Sequence, residues 1–415
     1  MKWVIKVEEK YIKLLLDKCI STKKSKILFI SYEEEVEEFV LKIENMAKNR
    51  GIEEIYLDKN SSYKDHDILK NNTLKELEEG NFFDKSIWDE YAKRDASFLI
   101  IDTELPHLMD DIESDKISLM VKKRRESRPL YRKMVENCTL SWCIAAYPSK
   151  SWAKEVFKDS DNSYNDLLNA IYKACMVDSD NPSKCWEEQI DKVNKIIKYL
   201  NSLNLRKLYY KNSLGTNLTI YLPENYTFES AKDNDVIVNM PSYEIFASPI
   251  YNKTEGIVYS SMPLYYGGSV IDGFWLRFKD GKVVEYDAKS GKELLKSIIE
   301  NDSNSAYLGE CALVENDSPI SNMNLVFGTT LLDENASCHL ALGSGFCECL
   351  KNGTNYTEEE LLEKGINVSK THVDFMIGTK DLSITGVTLG NEEVAIFENG
   401  NFSRSILENA YKDIN

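Results

Sequence analysis

Lys26-Ile27-Leu28-Phe29-Ile30-Ser31 is a short apolar run closed by a serine, and the residues after it set the architecture of the first half of the chain. Val36, Phe39, Val40 and Ile43 recur at helical spacing until Gly51, and residues 55–57 then read as a second strand. Strand, helix, strand in that order is a βαβ unit, whose two strands must run parallel. Residues 97–101 (SFLII) and 140–145 (LSWCIA) supply two more candidate strands between helical stretches, so the expected product is a small, mostly parallel sheet. The run at 26–31 is followed by Tyr32 and several glutamates rather than by a glycine-rich turn. A backbone cradle for phosphate is therefore missing, and nucleotide binding is not expected.

Further along the chain, a long helix over residues 186–203 carries Ile190, Val193, Ile197 and Leu200 on one face and closes this first unit. Beyond it the chain changes character. Only Gly51 and Gly80 precede residue 206, while the other seventeen of the nineteen glycines come after it. Leu218, Ile220 and Leu222 alternate with polar neighbours, and Asp280-Gly281 separates two alternating runs, 274–278 and 283–286, as a hairpin turn does. One obvious helix lies near residues 292–301. The expected fold class is α/β (α+β overall), with an N-terminal α/β scaffold or lid domain at 1–205. A strand-rich α+β domain at 206–415 is expected to carry the chemistry.

The bulk composition narrows the function. With 51 Lys plus Arg against 68 Asp plus Glu, the 415-residue chain has a formal net charge of −17, which repels a phosphate backbone and argues against nucleic acid as a partner. The first eighteen residues, MKWVIKVEEKYIKLLLDK, alternate charged with apolar positions and lack the apolar core of a signal peptide. No stretch approaches the roughly 20 apolar residues of a membrane span, so no membrane association is expected. Nine cysteines without a paired framework read as reduced thiols, and the expected location is the cytoplasm. Cys347 and Cys349 form the one tight pair, but no second pair completes a structural zinc site.

Histidine is the sharpest clue, because the chain has only four. In Thr371-His372-Val373-Asp374-Phe375, an extended strand projects His372 and Asp374 to one face and Val373 and Phe375 to the other. In LLDENASCHLALG (331–343), Glu334 and His339 are five residues apart. On a regular helix that offset separates them by about 140°, so convergence on one ion requires a turn between them. Glu310, in LGECALV (308–314), and Glu244, in PSYEIFASP (241–249), are acids inside otherwise apolar stretches. Each motif alone is more often a surface feature than a ligand set. Together, four carboxylates balance two divalent cations with the two imidazoles as neutral ligands. A donor set of oxygen and nitrogen without thiolate suits zinc, cobalt, manganese or magnesium.

These four stretches, in this order, resemble the M29 thermophilic-type metallo-aminopeptidases (aminopeptidases T, S and II). The segments at 262–288 and 147–157 look familial as well, so the resemblance covers most of the chain. It implies a cytoplasmic, usually homodimeric exopeptidase that removes N-terminal residues from peptides with two divalent ions and a bridging water. It also implies that Glu244, Glu310, Glu334, His339, His372 and Asp374 are the metal-site positions. Glu310 is then expected to bridge the ions, and Glu334 to act as ligand, general base or both. No organic cofactor is expected. One departure stands out: family members commonly carry a tyrosine seven residues after the histidine of the 331–343 motif, and this chain has Phe346 there. Two alternatives therefore stand beside the aminopeptidase, a catalytically impaired metal-binding homologue and a two-metal amide hydrolase acting on a non-peptide substrate.

Overall fold

The computed structural model describes residues 2–21, 25–233 and 236–412. Of the N-terminal segment discussed above, Met1 lies outside the described residues. The segment at 26–31 forms β1 (Ile27–Glu33), followed by helix α1 (Glu37–Asn49) and β2 (Glu54–Asn60). β1 pairs in parallel with β2 on one side and with β3 (Ser97–Asp102) on the other. β4 (Trp142–Ala146) and β5 (Asn239–Met240) complete a five-stranded parallel sheet in the order β2-β1-β3-β4-β5. The sheet is buried on both faces. Leu28, Ile30, Leu99 and Ile101 face one core, and Phe29 and Phe98 face a second aromatic cluster with Trp88 and Tyr131. Burial on two faces explains why β1 reads as a continuous apolar run rather than an alternation.

The long helix α2 (Pro182–Ser202) starts one turn earlier than the apolar pattern alone indicates. Pro182 takes the first helical position, and the Asn181 side chain caps the Lys184 amide. Its apolar face serves two cores: Trp186 packs with the parallel sheet, whereas Val193, Ile196 and Leu200 pack with the strand-rich half. Each fully buried side chain of this size contributes about 1.5–3 kcal/mol, so the helix ties both cores to one rigid rod.

The second half contains an eight-stranded antiparallel sheet that includes the Leu205–Lys211 and Asn217–Tyr221 strands and the Trp275–Lys279/Lys282–Asp287 hairpin. Asp280 and Gly281 both have positive φ, 49° and 78°, the backbone of a type I′ turn. Helix α3 (Lys292–Ile299) buries Leu294, Leu295, Ile298 and Ile299. The fold is thus α/β in its first half and strand-rich α+β in its second. Among the described residues no helix is long and apolar enough to cross a membrane.

A smaller four-stranded antiparallel sheet positions the chemistry. Its order is β6 (Ile245–Ala247), β7 (Leu308–Leu313), β8 (His339–Gly343) and β9 (His372–Met376). Ile245, Ala247, Cys311, Leu313, Leu340, Leu342, Val373 and Phe375 share one face and enter the second core. Strand periodicity sends the alternate residues to the opposite face, and those include Glu310, His339, His372 and Asp374.

Candidate metal centre

Register brings the side chains together. Ala341 lies opposite both Glu310 on β7 and Asp374 on β9, so the two carboxylates flank a residue whose side chain is only a methyl group. His372 lies opposite Gly343, whose φ of 103° permits a backbone approach in which an added Cβ would run into the Thr371 carbonyl oxygen. Glu244 immediately precedes β6, four residues after the last strand of the parallel sheet. Glu334 ends helix α4 (Thr330–Glu334), and the chain turns through 335–338 before β8 begins at His339. That is the turn the five-residue spacing requires. Leu331, Leu332 and Ala336 anchor this segment in the first core, so the parallel-sheet half holds Glu334 in place.

All six predicted residues converge. Ligand atoms of Glu244, Glu310 and His339 lie within 4.8 Å of one another, as do those of Glu310, His372 and Asp374 and those of Glu334, His339 and Asp374. Nε2 of His339 is 3.2 Å from Glu244 Oε2 and 3.9 Å from Glu310 Oε1, while Nε2 of His372 is 3.3 Å from both Glu310 Oε2 and Asp374 Oδ1. Glu244, Glu310, Glu334 and His339 are buried. His372 and Asp374 keep 20% and 13% of their side chains exposed, which puts the open side of the site at β9.

The ring nitrogens decide what this cluster is for. Nδ1 of His339 faces the carbonyl oxygens of Glu334 and Ser337, each at 3.1 Å, and Nδ1 of His372 faces the Ser344 carbonyl at 2.8 Å. A carbonyl only accepts, so each Nδ1 carries the proton and donates it. Each ring therefore aims Nε2 at carboxylates, a contact satisfied either by a proton on Nε2 or by a cation that takes its place. Electrostatics say the same. Burial pushes the Glu310 carboxyl up to about 7 against the pull of His372, and burial with Glu244 and Asp374 nearby pushes Glu334 well above the carboxylate range. Burial opposes the charged form of both imidazoles, yet the surrounding carboxylates outweigh it and raise both. Asp374 also meets a burial penalty, but the His372 charge holds it down at about 2. Asp374 Oδ1 is buried without a hydrogen-bond partner. Four carboxylates and two imidazoles in one water-poor space suit divalent cations, which would take the place of the protons these groups otherwise share.

Several supporting residues carried no motif signal. Asn239 Nδ2 donates to Glu334 Oε1 at 3.2 Å, and Asn335 Nδ2 lies 3.5 Å from the same oxygen. Asn335 Oδ1 accepts from the Tyr243 amide at 2.6 Å, linking the Glu244 and Glu334 segments. Asn335 stands beside Glu334 in the sequence, so its position was visible although its role was not. Asp333, buried next to Glu334, is not part of the cluster; it accepts the Phe327 and Gly328 amides at 2.8 Å and orders the loop before α4. The Phe346 ring centroid is 4.9 Å from that of His372 and 5.0 Å from that of Phe246, so residue 346 forms part of the wall of the site. His66 and His107 are remote from it and pair with Asp111 and Asp110 at 2.7 Å. All nine cysteines are free, and none belongs to a candidate ion-binding group among the described residues.

The chain is similar to known proteins over nearly its whole length. The chain is 33% identical to aminopeptidase AmpS of Bacillus subtilis (strain 168) over 404 residues, 95% of this chain and 97% of that protein. It is 33% identical to aminopeptidase 2 of Geobacillus stearothermophilus over 402 residues, again covering 95% and 97%. The solved structure of wild-type AmpT from Thermus thermophilus superposes with a TM-score of 0.84 at 24% identity, covering 96% of this chain and 99% of that one, which establishes the shared fold. The family model described as thermophilic metalloprotease (M29) matches residues 6–402. The chain belongs to the thermophilic metalloprotease (M29) family.

Proposed function

We propose that this protein is a metal-dependent aminopeptidase that hydrolyses the N-terminal residue from peptides, with Glu244, Glu310, Glu334, His339, His372 and Asp374 holding two divalent ions. The observation that carries the reading is the position of buried Glu310, which belongs to two of the three ligand groups and has one oxygen toward each histidine. That placement supports Glu310 as the residue shared by both ions. Two divalent ions, when bound, supply Lewis acidity toward a carbonyl and acidify water.

The remaining work belongs to the chain's own residues. Glu334, buried beside the other ligand candidates, is the residue expected to accept a proton from water and return it to the departing amine. Asn239 and Asn335 fix the rotamer from which it does so. The Ser344 carbonyl accepts from His372 Nδ1 and fixes that ring at the more open side of the site, where a peptide would enter. Oxygen and nitrogen donors without thiolate favour zinc, cobalt, manganese or magnesium.

The family resemblance supports the rest of the proposal. Residues 1–205 act as scaffold or lid and residues 206–415 as the catalytic unit, consistent with all six ligand candidates falling in the second span. The enzyme works as a cytoplasmic homodimer. One observation favours a second reading, a catalytically impaired homologue: a phenyl ring without hydroxyl lies against His372.

The test is to strip metal with a chelator, restore zinc, cobalt, manganese or magnesium singly, and follow hydrolysis of aminoacyl chromogenic substrates. Turnover with at least one ion and two ions per subunit is the expected result. Absence of turnover with every ion overturns the enzymatic reading, and the metal stoichiometry of the same sample then decides whether a binding centre persists.

A further inference from the structure

The carboxyl ends of β1, β2 and β3 border a cavity of about 220 Å³ that shares no lining residue with the metal centre. It sits where β1 is flanked by β2 on one side and β3 on the other, the switch point at which open parallel sheets bind small ligands. Three cations line it, and two are already paired. Lys85 Nζ is 3.2 Å from both oxygens of Asp58, and Arg124 pairs with Asp65. Arg128 has no carboxylate partner among the described residues. Its guanidinium lies 4.1 Å from the Trp88 ring centroid, and its Nε is buried without an acceptor, as is that of Arg124.

Two acids on the cavity wall are likewise without a cation in contact. Glu33 and Asp102 each stand one residue beyond the Tyr32–Ile101 register pair, at the ends of adjacent strands. Glu33 accepts from the Ser62 amide at 3.0 Å and hydroxyl at 2.8 Å, and Asp102 accepts from the Thr329 hydroxyl at 2.6 Å. Neither forms an ion pair among the described residues. Burial raises both carboxyls and outweighs the weak pull of Arg124 on Glu33.

A spare guanidinium and a spare pair of carboxylates on one cavity are complementary to a zwitterion. A simple anion would face Glu33 and Asp102, and a simple cation would face Arg128. We propose that this cavity binds a free α-amino acid, with its carboxylate on Arg128 and its ammonium between Glu33 and Asp102. The arginine fork offers the bidentate geometry a carboxylate prefers. Asp102 holds Thr329, which precedes the α4 turn that presents Glu334, so the cavity is one hydrogen bond from the segment that carries a ligand candidate.

The test is calorimetric titration of the metal-loaded protein with L-alanine, L-leucine and L-phenylalanine. Parallel runs use N-acetyl-leucine, 3-methylbutylamine (leucine without its carboxylate) and inorganic phosphate. Arg128→Gln and Glu33→Gln separate this cavity from any binding at the metals. At least one amino acid is expected to bind the wild type and to weaken tenfold or more in both variants. Removing either end group of leucine is expected to weaken binding by the same order. Arg128→Lys, which keeps the charge but loses the fork, is expected to bind more weakly than wild type, and Glu33→Gln carries the test if Arg128→Gln does not fold. Identical isotherms in wild type and all variants would assign every binding event to the metal centre and overturn the proposal. Binding of phosphate alone, lost in Arg128→Gln, would make this an anion site and overturn it equally. Either result leaves the aminopeptidase reading untouched.

Discussion

Replacing Glu310 by glutamine should make the metal-free protein more stable and the metal-loaded protein less so. Glu310 is 3% exposed and sits between two histidines, and burial raises its carboxyl from 4.5 to about 7. A rise of that size corresponds to about 3 kcal/mol between the two protonation states. The folded state holds this proton more tightly than the unfolded chain does. Stability of the metal-free protein therefore falls as pH rises from about 4.5 to about 7 and stays lower above it. Glutamine mimics the neutral form at every pH, so the variant escapes that loss. For 415 residues the unfolding entropy is about 0.9 kcal/mol/K, and 3 kcal/mol becomes about 3–4 °C in Tm. With metal at a thousandfold excess over Kd, the wild type gains about 4 kcal/mol. Glutamine, lacking the charge, forfeits most of that gain. Scanning calorimetry at pH 8 and pH 5, with chelator and with metal, reads all four cases. The variant should melt higher than wild type in chelator at pH 8, equal to it at pH 5, and lower in metal. A variant that melts below wild type in chelator at pH 8, or that keeps full metal occupancy, refutes the assignment of Glu310 as a buried charge held for a cation.

Three further outcomes are expected. Asn239→Ala frees Glu334 Oε1 from its 3.2 Å donor and should lower metal affinity or kcat by about 10–100-fold with little change in Tm, as measured by metal titration and steady-state kinetics. Gly343→Ala places a side chain at φ 103° against the Thr371 carbonyl; it should cost about 1–3 kcal/mol in denaturant unfolding and weaken metal binding by displacing the neighbouring His372. Phe346→Tyr adds a hydroxyl beside His372 and should leave metal stoichiometry intact without reducing turnover, so a large fall in kcat would count against the role inferred for this position.

Local structure and the candidate residues that the fold gathers into one cluster were legible in the amino-acid order alone. Apolar periodicity located β1, α1 and the hairpin at Asp280-Gly281 because these depend on neighbours within a few residues. The His372–Asp374 pairing was legible for the same reason, since a strand sends residues two apart to one face. Convergence was not. Glu244 and Asp374 are separated by most of the second half, and no local rule brings them within reach of one ion. The registers of β7, β8 and β9 bring it about, aligning Glu310, Ala341 and Asp374 in one row with a small side chain at the centre. Packing across the halves contributes equally: Leu331 and Leu332 lock α4 into the first core while Asn239, from the edge of the parallel sheet, holds Glu334. Side-chain periodicity is a property of the chain alone; which strands meet, and in which register, is settled by the burial that only the whole fold provides.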